Sequence, residues 1–266
     1  MKNSNYNFFN NNGFAVLKLS DDNPLLLAQA LIKKENLEKI KSDKIFYEKV
    51  LNTQRKLIKY KIHLKFLFNE IKQIKSILKV KNPYTELSVT PFFHLRAVRK
   101  SQTKKKNFIG FHRETFYSDQ NYTKYQLNIS IPILNYSNIN SMRVIPKSHK
   151  IPDSRIFVKK IKSKLSTVKK FSTRHKLGMP YSPKIIVSGV NLKKSQRLNM
   201  KDGQFCIFNC CLIHGNGSNP KKEIRYSIDF AIIKNKFLKN EKIKKQFHSP
   251  DKNKLYFRKI KDITNE

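Results

Sequence analysis

The hydrophobic pattern of this chain changes its period at Asn82-Pro83, and that change limits the folds open to it. Over residues 44–80, apolar residues recur at spacings of three, four and seven, which is the period of an amphipathic helix. Beyond Pro83 the pattern moves towards two, the period of a strand with one buried face. We therefore expect a helical N-terminal part over about residues 20–80 and a strand-rich core over about 84–233.

Strand-like segments follow one another through that core. In residues 124–132, polar residues at even positions alternate with apolar residues at odd positions. Further candidate strands are residues 14–19, 91–99, 141–146, 184–190, 204–214 and 223–231. Many short strands separated by turn signals indicate a β-sandwich or barrel, with the helices packed outside the sheet. A Lys-rich connection (150–183) and a basic C-terminal extension (234–266) complete what we expect to be one domain over residues 1–266.

The charge of the chain raises the question of an anionic partner. Lys and Arg number 56 against 18 Asp and Glu, for a formal net charge of +38. Such a balance is typical of proteins that meet nucleic acid or another anionic surface. The lysines are dispersed, however, without one dominant block or an RNA-binding motif with interleaved aromatics. We expect a solvated basic surface and no nucleic-acid partner, with a physiological anionic partner as the alternative.

The compartment follows from the cysteines and the apolar runs. Cys206, Cys210 and Cys211 lie in one apolar run without Cys-x-x-Cys spacing, which favours neither a zinc site nor a disulfide framework. No apolar stretch approaches the roughly 18 residues that span a bilayer, and none resembling a signal peptide follows Met1. We expect a cytoplasmic protein without a membrane span. Its oligomeric state is left open.

The pair His112 and Glu114 offers metal-binding chemistry. In an extended strand, side chains two residues apart share a face, so this imidazole and carboxylate would lie side by side. They could be two ligands of a 2-His-1-carboxylate triad, the usual site of non-haem Fe(II) oxygenases. A salt-bridged surface pair is the simpler alternative. His214, before a Gly/Asn loop, is the candidate third ligand, although a core or loop histidine would fit there equally.

The segment after His214 carries a second signal. Arg225 and Ser227 fall on one face of a predicted strand, together with Glu223 and Asp229. An arginine with a hydroxyl two residues further on can hold a carboxylate by charge-assisted hydrogen bonds. The alternative is an ordinary sheet with one solvated face. The polar side of residues 124–132 (Gln126, Asn128 and Ser130) would line the same interior.

Taken in order, these residues resemble a known family. His112-Arg113-Glu114, the segment 142–149 and His214 with Arg225 eleven positions later are similar to the phytanoyl-CoA dioxygenase-like branch of the Fe(II)/2-oxoglutarate-dependent oxygenases. The resemblance covers roughly residues 92–232. It departs from the branch at Glu114, where Asp is usual, and at Asn140-Ser141, where a Gly is usual.

The resemblance implies a mainly β fold with flanking helices, a double-stranded β-helix of the jelly-roll, cupin-like type. It also implies a metal-binding oxidoreductase in which His112, Glu114 and His214 bind Fe(II). Arg225 would hold 2-oxoglutarate, with Ser227 and Asn128 as further cofactor-binding residues, and O2 would be the oxidant.

The activity implied is hydroxylation of an unactivated C–H bond in a small, possibly anionic metabolite or glycan precursor. Arg96, Arg143 and Gln126 are the candidate substrate-binding residues, although each arginine could equally be a surface or structural residue. Two other functions stay open: a cupin-like metal- or sugar-binding protein without turnover, and a basic nucleic-acid-associated protein. Arg225 with Ser227 favours the oxygenase.

Overall fold

The computed structural model describes residues 2–100, 110–116, 121–160, 184–215, 217, 219–238 and 257–264. The helices in these ranges are α1 (Lys2–Asn12), α2 (Asn23–Lys34), α3 (Asp43–Lys59), α4 (Ile62–Asn69), α5 (Ile71–Leu78), α6 (Pro83–Glu86) and α7 (Ile260–Thr264). The strands are β1 (Phe14–Lys18), β2 (Leu87–Val89), β3 (His94–Val98), β4 (Leu127–Leu134), β5 (Arg143–Val144), β6 (Phe157–Lys160), β7 (Lys184–Ser188), β8 (Gln196–Arg197), β9 (Gln204–Asn209), β10 (His214–Gly215), β11 (Arg225–Lys234) and β12 (Arg258–Lys259). None of the described helices has the length and apolar composition needed to cross a bilayer.

The strands form a large sheet, a small sheet and a hairpin. The large sheet has seven strands in the order β1-β9-β4-β11-β2-β12, with β3 also pairing with β11. The small sheet has three strands in the order β10-β5-β8, and β6 pairs with β7. Every pairing is antiparallel. The prediction of a mainly β fold with flanking helices is therefore confirmed.

One face of the large sheet packs against the helices. Leu17, Ile129 and Ile228 belong to that face and share one hydrophobic core with residues of α2, α3, α4 and α5. The predicted helical stretch 44–80 is three helices because the chain turns at Lys61, whose φ is +52°, and again at Glu70. This core is the main reason for the helical layer, since short isolated helices are marginal in water.

The opposite face of the large sheet packs against the small sheet. Phe14 and Phe208 from the large sheet form a second core with Met142 and Val144 of the small sheet. Beside this core, polar side chains follow the same inner face of β3, β4 and β11, because directly paired residues such as Asp229 and Ser130 point the same way. The space between the two sheets is thus apolar at one end and polar at the other.

Several segments differ from the sequence prediction, and two of them form the candidate site. Residues 204–214 are not one strand: β9 ends at Asn209, and His214 begins β10 in the other sheet. Asn209 accepts hydrogen bonds from the Cys211 amide at 2.7 Å and the Leu212 amide at 2.9 Å, which forms a tight turn. The hydrophobicity of residues 210–213 hides that turn, since Leu212 and Ile213 are buried without being in a strand.

The extended segment expected through His112 and Glu114 is limited to His112. His112 makes an isolated bridge to His214, and a short 3-10 helix begins at Glu114. The predicted strand 14–19 is β1, and α1 ends directly before it at Asn12. Residues 161–183 of the predicted connection and 239–256 of the predicted extension lie outside the described residues.

Candidate metal centre and carboxylate site

Three ligand side chains from two segments converge between the sheets. His112, Glu114 and His214 each offer one ligand atom, and these atoms all lie within 4.8 Å of one another. Glu114 Oε1 is 3.8 Å from His112 Nε2 and 3.4 Å from His214 Nε2. Both histidines are buried, whereas Glu114 is partly exposed. Two imidazoles and a carboxylate around one point are the donor set of a non-haem iron centre.

The backbone fixes which nitrogen of each histidine faces that point. His112 Nδ1 lies 2.9 Å from the Gly110 carbonyl, and His214 Nδ1 lies 2.9 Å from the Leu212 carbonyl. A carbonyl only accepts, so each Nδ1 carries the proton and each Nε2 keeps its lone pair. The two histidine backbones also exchange hydrogen bonds of 2.9 and 3.0 Å. Orientation of a ligand imidazole by a backbone carbonyl is usual at metal sites.

The electrostatics keep the ligands in their metal-binding forms. Burial and the neighbouring His214 lower the pKa of His112, which favours the neutral imidazole. Burial alone would raise the pKa of Glu114, but hydrogen bonds and charge from the two histidines, when an imidazole is also protonated at Nε2, hold the pKa of that carboxyl well below its usual range. A bound metal ion would take the place of that proton. A neutral imidazole and an ionised carboxylate are the forms that bind a metal.

Arg113, between two of the ligands, anchors their segment. Its side chain is 1% exposed and donates to Asp153 and to the Ser148 carbonyl. The Ser148 hydroxyl in turn accepts the Ile213 amide at 2.8 Å, next to the third ligand. Ser148 therefore ties the segment of His112 and Glu114 to the segment of His214. Its neighbour His149 packs against Gly13.

Arg225 provides a buried positive charge on the inner face of β11. It is 2% exposed, its Nη1 donates to the carbonyls of Asn140 and Gly217, and its guanidinium lies 5.2 Å from the Tyr136 ring. Its Nε is buried without a hydrogen-bond partner among the described residues. Burial removes water from the Arg225 guanidinium and thereby lowers its pKa. An incoming carboxylate would stabilise this poorly solvated charge. Ser227, two residues on and 3% exposed, lies on the same face.

The carbonyl of Asn140, which accepts from Arg225, is held in place by the side chains of Asn140 and Asn219. Asn219 and Asn140 are 0% exposed, and the Asn140 amide donates to Asn219 Oδ1 at 3.3 Å. Asn219 also donates to the carbonyls of Val98 and Glu223 at 2.8 and 2.7 Å. At Gly217, an added Cβ would lie 2.2 Å from the Ser141 carbonyl, so only glycine permits this approach. The loop before β11 is thus fastened to the segment that receives the guanidinium.

The two polar residues predicted on β4 form a pair near the triad. Asn128 Oδ1 accepts from Gln126 Nε2 at 2.9 Å and from the Cys210 thiol at 3.7 Å. The Cys210 carbonyl accepts the Glu114 amide at 3.1 Å, which brings this pair close to the ligands. Because Oδ1 is engaged, the Asn128 amide nitrogen is oriented away from Gln126. Asn128 is partly exposed and Gln126 is buried.

Arg96 lies on the same inner face as Ser227 but already has a counter-ion. Its Nε donates to Asp229, whose other oxygen accepts from the Ser130 hydroxyl at 2.6 Å. The Arg96 and Asp229 side chains are 25% and 20% exposed. The positive charge predicted for substrate recognition is therefore largely neutralised by a carboxylate.

Arg143 is not brought together with the triad. Val144 is paired with His214 in the small sheet, so its neighbour Arg143 lies on the other face. The Arg143 guanidinium donates to the Ser195 hydroxyl at 2.6 Å and lies 5.7 Å from the Phe111 ring.

The structure brings the three predicted ligands together and places Arg225 and Ser227 on one face, and it adds supporting residues that the sequence did not single out. Tyr136, Asn140, Asn219 and Asp229 were given no role. Asn140 stands where the sequence resemblance led us to expect glycine, which was the one available signal. Asn219 precedes Pro220 in a loop-forming run of small and polar residues and carries no distinguishing pattern.

Comparison with known proteins places the fold. No protein-family model and no curated protein sequence matches this chain. EvdO2 from Micromonospora carbonacea var. aurantiaca matches with a TM-score of 0.58 and 14% identity, over 86% of this chain and 89% of that chain. SnoN, a non-heme alpha-ketoglutarate-dependent epimerase from nogalamycin biosynthesis, matches with a TM-score of 0.51 and 10% identity, over 87% of this chain and 82% of that chain.

At such identities the likeness shows the fold alone. The chain has the jelly-roll, cupin-like fold found in non-heme iron, 2-oxoglutarate-dependent enzymes, as the sequence resemblance implied. In the described residues this fold consists of two facing antiparallel sheets, with the three candidate ligands between them.

Proposed function

We propose that this protein is an Fe(II)- and 2-oxoglutarate-dependent dioxygenase that hydroxylates an unactivated C–H bond of a small molecule. The observation that carries the proposal is the convergence of His112, Glu114 and His214, with each imidazole Nδ1 tied to a carbonyl so that Nε2 faces Glu114. A salt-bridged surface pair would not need a second, buried histidine in this orientation.

Each residue has a definite task in this proposal. His112, Glu114 and His214 would hold Fe(II), and Arg225 with Ser227 would hold the distal carboxylate of 2-oxoglutarate. Bound together at these residues, iron and 2-oxoglutarate supply the oxidising chemistry, with O2 as the oxidant. The buried, unpartnered Nε of Arg225 supports this assignment, because a guanidinium hidden from water needs an anion or further acceptors.

Two neighbours of the same fold support the choice of cofactors. EvdO2 has been solved in complex with 2-oxoglutarate, and SnoN in complex with Fe3+ and alpha-ketoglutarate. Their reactions are not all hydroxylations, since SnoN is an epimerase and SnoK a carbocyclase. Product analysis therefore has to distinguish gain of one oxygen atom from an isomerised or cyclised product.

The finer assignments belong to the same proposal. We place the chain in the phytanoyl-CoA dioxygenase-like branch because of its motif order, and we treat residues 1–266 as one cytoplasmic domain. Support for one domain comes from the core that α2 to α5 share with the large sheet. For the substrate, Asn128, Gln126 and the Arg96–Asp229 pair offer polar contacts. They suit a hydroxylated molecule at least as well as an anionic one.

Anaerobic addition of Fe(II) and then 2-oxoglutarate tests the proposal directly. The expected result is the weak visible charge-transfer band of an iron–2-oxoglutarate chelate. Glu114→Ala should remove the band by removing a metal ligand. Arg225→Ala should require much more 2-oxoglutarate to produce it. Arg55→Ala, an exposed arginine of α3, is the matched control and should leave it unchanged.

Three outcomes would contradict the proposal. They are the absence of the band in the wild type, a band that Glu114→Ala leaves intact, and 2-oxoglutarate affinity that is equal in wild type and Arg225→Ala. Metal binding without any 2-oxoglutarate effect would instead support the cupin-like metal- or sugar-binding protein.

A further inference from the structure

The helical layer carries a strongly basic stretch between residues 49 and 81. Between residues 49 and 81 every lysine and arginine is exposed, and the single acidic residue, Glu70, is 2% exposed. We call these ten side chains the basic face: Lys49, Arg55, Lys56, Lys59, Lys61, Lys65, Lys72, Lys75, Lys79 and Lys81. Lysines that are dispersed in the sequence are therefore gathered on one side of the fold.

Helix geometry explains why they are gathered. In α5, Ile71, Ile74, Ile77 and Leu78 are buried in the core that helices and large sheet share. Lys72 and Lys75 are three residues apart and lie together on the solvent side of that helix, and Lys79 follows directly after its end. The same argument applies to α3, where Val50 and Leu57 are buried while Lys49, Lys56 and Lys59 are exposed.

Little in the described residues neutralises this charge. Lys56 pairs with Glu35 at 2.5 Å, and it is the only cation of the basic face in an ion pair with a described carboxylate. Lys79 lies 3.7 Å from the Tyr6 ring centroid, and Arg55 donates to Asn52 at 3.2 Å. Glu70 accepts instead from the Ser20 amide and hydroxyl at 2.6 and 2.8 Å, which points it away from the surface. Like charges three or four residues apart on a helix repel one another unless an anion screens them.

We propose that the basic face binds the phosphate backbone of nucleic acid without sequence preference. A polyphosphate chain meets several lysines at once and releases its counter-ions, which is the main source of non-specific affinity. Tyr60, at 49% exposed, is the only large hydrophobic side chain that is markedly exposed between residues 49 and 81. Helices that bind a lipid surface bury an apolar side in it, and the basic face has almost no exposed apolar side chains for such contact.

The position of the basic face leaves the candidate metal centre accessible. The helices cover one side of the large sheet, whereas Ser227, Asp229 and Ser130 lie on the other side. Binding at the helices therefore does not require the site between the sheets, and this inference stands whether or not the oxygenase assignment holds.

The test compares two triple variants with equal net charge. Lys65, Lys72 and Lys75→Gln removes three charges from the basic face, while Lys193, Lys194 and Lys222→Gln removes three exposed charges from loops outside the helical layer. Binding of each full-length protein to a short mixed-sequence DNA duplex is measured by fluorescence anisotropy over a salt series. All six positions are exposed, and a thermal melt confirms that both variants fold.

Each lysine that contacts a phosphate contributes about 0.9 to the slope of log affinity against log salt. The basic-face variant should therefore lose about 2 to 3 from that slope and about tenfold or more in affinity at moderate salt. The loop variant should stay within about twofold of wild type, since its lysines lie outside the contact.

Several outcomes would overturn the inference. One is a wild type that does not bind duplex DNA at moderate salt. Another is an equal loss in both variants, which would mean that net charge alone matters. A third is binding to phosphatidylserine vesicles that depends on the three basic-face lysines when DNA binding does not.

Discussion

At the scale of single residues, the candidate site depends on side chains that hold other side chains. The ligand imidazoles are oriented by the carbonyls of Gly110 and Leu212, and Arg225 by the carbonyl of Asn140. Asn219 supports the second arrangement through three hydrogen bonds to the backbone and one to Asn140. Substitution of a residue that supports Arg225 is therefore expected to affect 2-oxoglutarate binding and not Fe(II) binding.

Substitution of Asn219→Ala should therefore weaken 2-oxoglutarate binding selectively. Loss of the Asn219 side chain removes its hydrogen bonds to the carbonyls of Val98 and Glu223 and to Asn140. The Asn140 carbonyl, which accepts from Arg225, is then less well placed. We expect about a tenfold rise in the KM for 2-oxoglutarate with kcat nearly unchanged, because the bound geometry can still form at saturation. Fe(II) affinity, titrated without 2-oxoglutarate, is the control. A parallel loss of both affinities would indicate general unfolding and would contradict the positioning role.

A second residue-scale prediction concerns His63, in the core between helices and sheet. Its ring packs 5.2 Å from the Phe93 ring and 5.8 Å from the Phe230 ring, and burial lowers its pKa to about 4. The interaction with the Thr90 backbone offsets burial only in part.

Because the unfolded chain takes up a proton on His63 near pH 6.5 and the folded chain only near pH 4, stability falls as pH drops between these values. The loss should approach about 3 kcal/mol. It should be absent from His63→Leu when the pH dependence of urea unfolding is compared with wild type. Identical pH profiles for the two proteins would contradict the prediction.

At the scale of elements, the connection from α1 to β1 depends on one glycine. Gly13 has φ of +82°, and a Cβ there would lie 2.4 Å from His149 Nδ1. Gly13→Ala should lower the unfolding free energy by about 2 kcal/mol or more, since both the backbone conformation and the contact are unfavourable. Gly110→Ala, where an added Cβ meets nothing within 4 Å, is the matched control for thermal melting. His149→Ala should restore part of the loss in a double variant, and complete additivity would exclude the contact as its cause.

Helices and strands with a clear hydrophobic period could be predicted from the sequence. The end of a strand that is set by a side-chain hydrogen bond could not. The alternation in residues 124–132 predicted β4, and the spacing over 44–80 predicted helices. The end of β9 depends on the Asn209 side chain, which accepts the Cys211 amide, and the apolar residues that follow gave no sign of a turn. For the same reason, the strand predicted through His214 was divided between two sheets.

The site was more predictable than the local structure that forms it. His112 and Glu114 were expected to share a face of a strand, yet they converge through an isolated bridge and a 3-10 helix. Arg225 and Ser227 do share the inner face of β11. The convergence of His112, Glu114 and His214 could be anticipated because the motif order reflects the fold. Asn140 and Asn219 act through a contact 79 positions apart that no local pattern encodes.

At the scale of the whole molecule, the candidate centre joins separate parts of the fold. Glu114 and His112 come from the segment 110–116, and His214 from the small sheet, while Ser148 links both by hydrogen bonds. An ion bound by all three should therefore stabilise the attachment of segment 110–116 to the small sheet.

Metal binding should accordingly raise the melting temperature in a way that depends on all three ligands. At about 100 times its Kd, a ligand of the native state adds about 2.7 kcal/mol, and each kcal/mol corresponds to about 2–4 °C for a domain of this size. We expect an anaerobic shift of about 5–10 °C with Fe(II), reversed by a chelator. Glu114→Gln, which keeps the size of the side chain but removes its charge, should lose most of that shift.

The same melting experiment separates the two halves of the site. Arg225→Ala should keep the Fe(II) shift, because none of its atoms is a ligand, and lose the additional shift that 2-oxoglutarate produces in wild type. An Fe(II) shift of equal size in Glu114→Gln would mean that the ion binds elsewhere. Loss of the Fe(II) shift in Arg225→Ala would mean that the carboxylate site and the metal centre do not form independently.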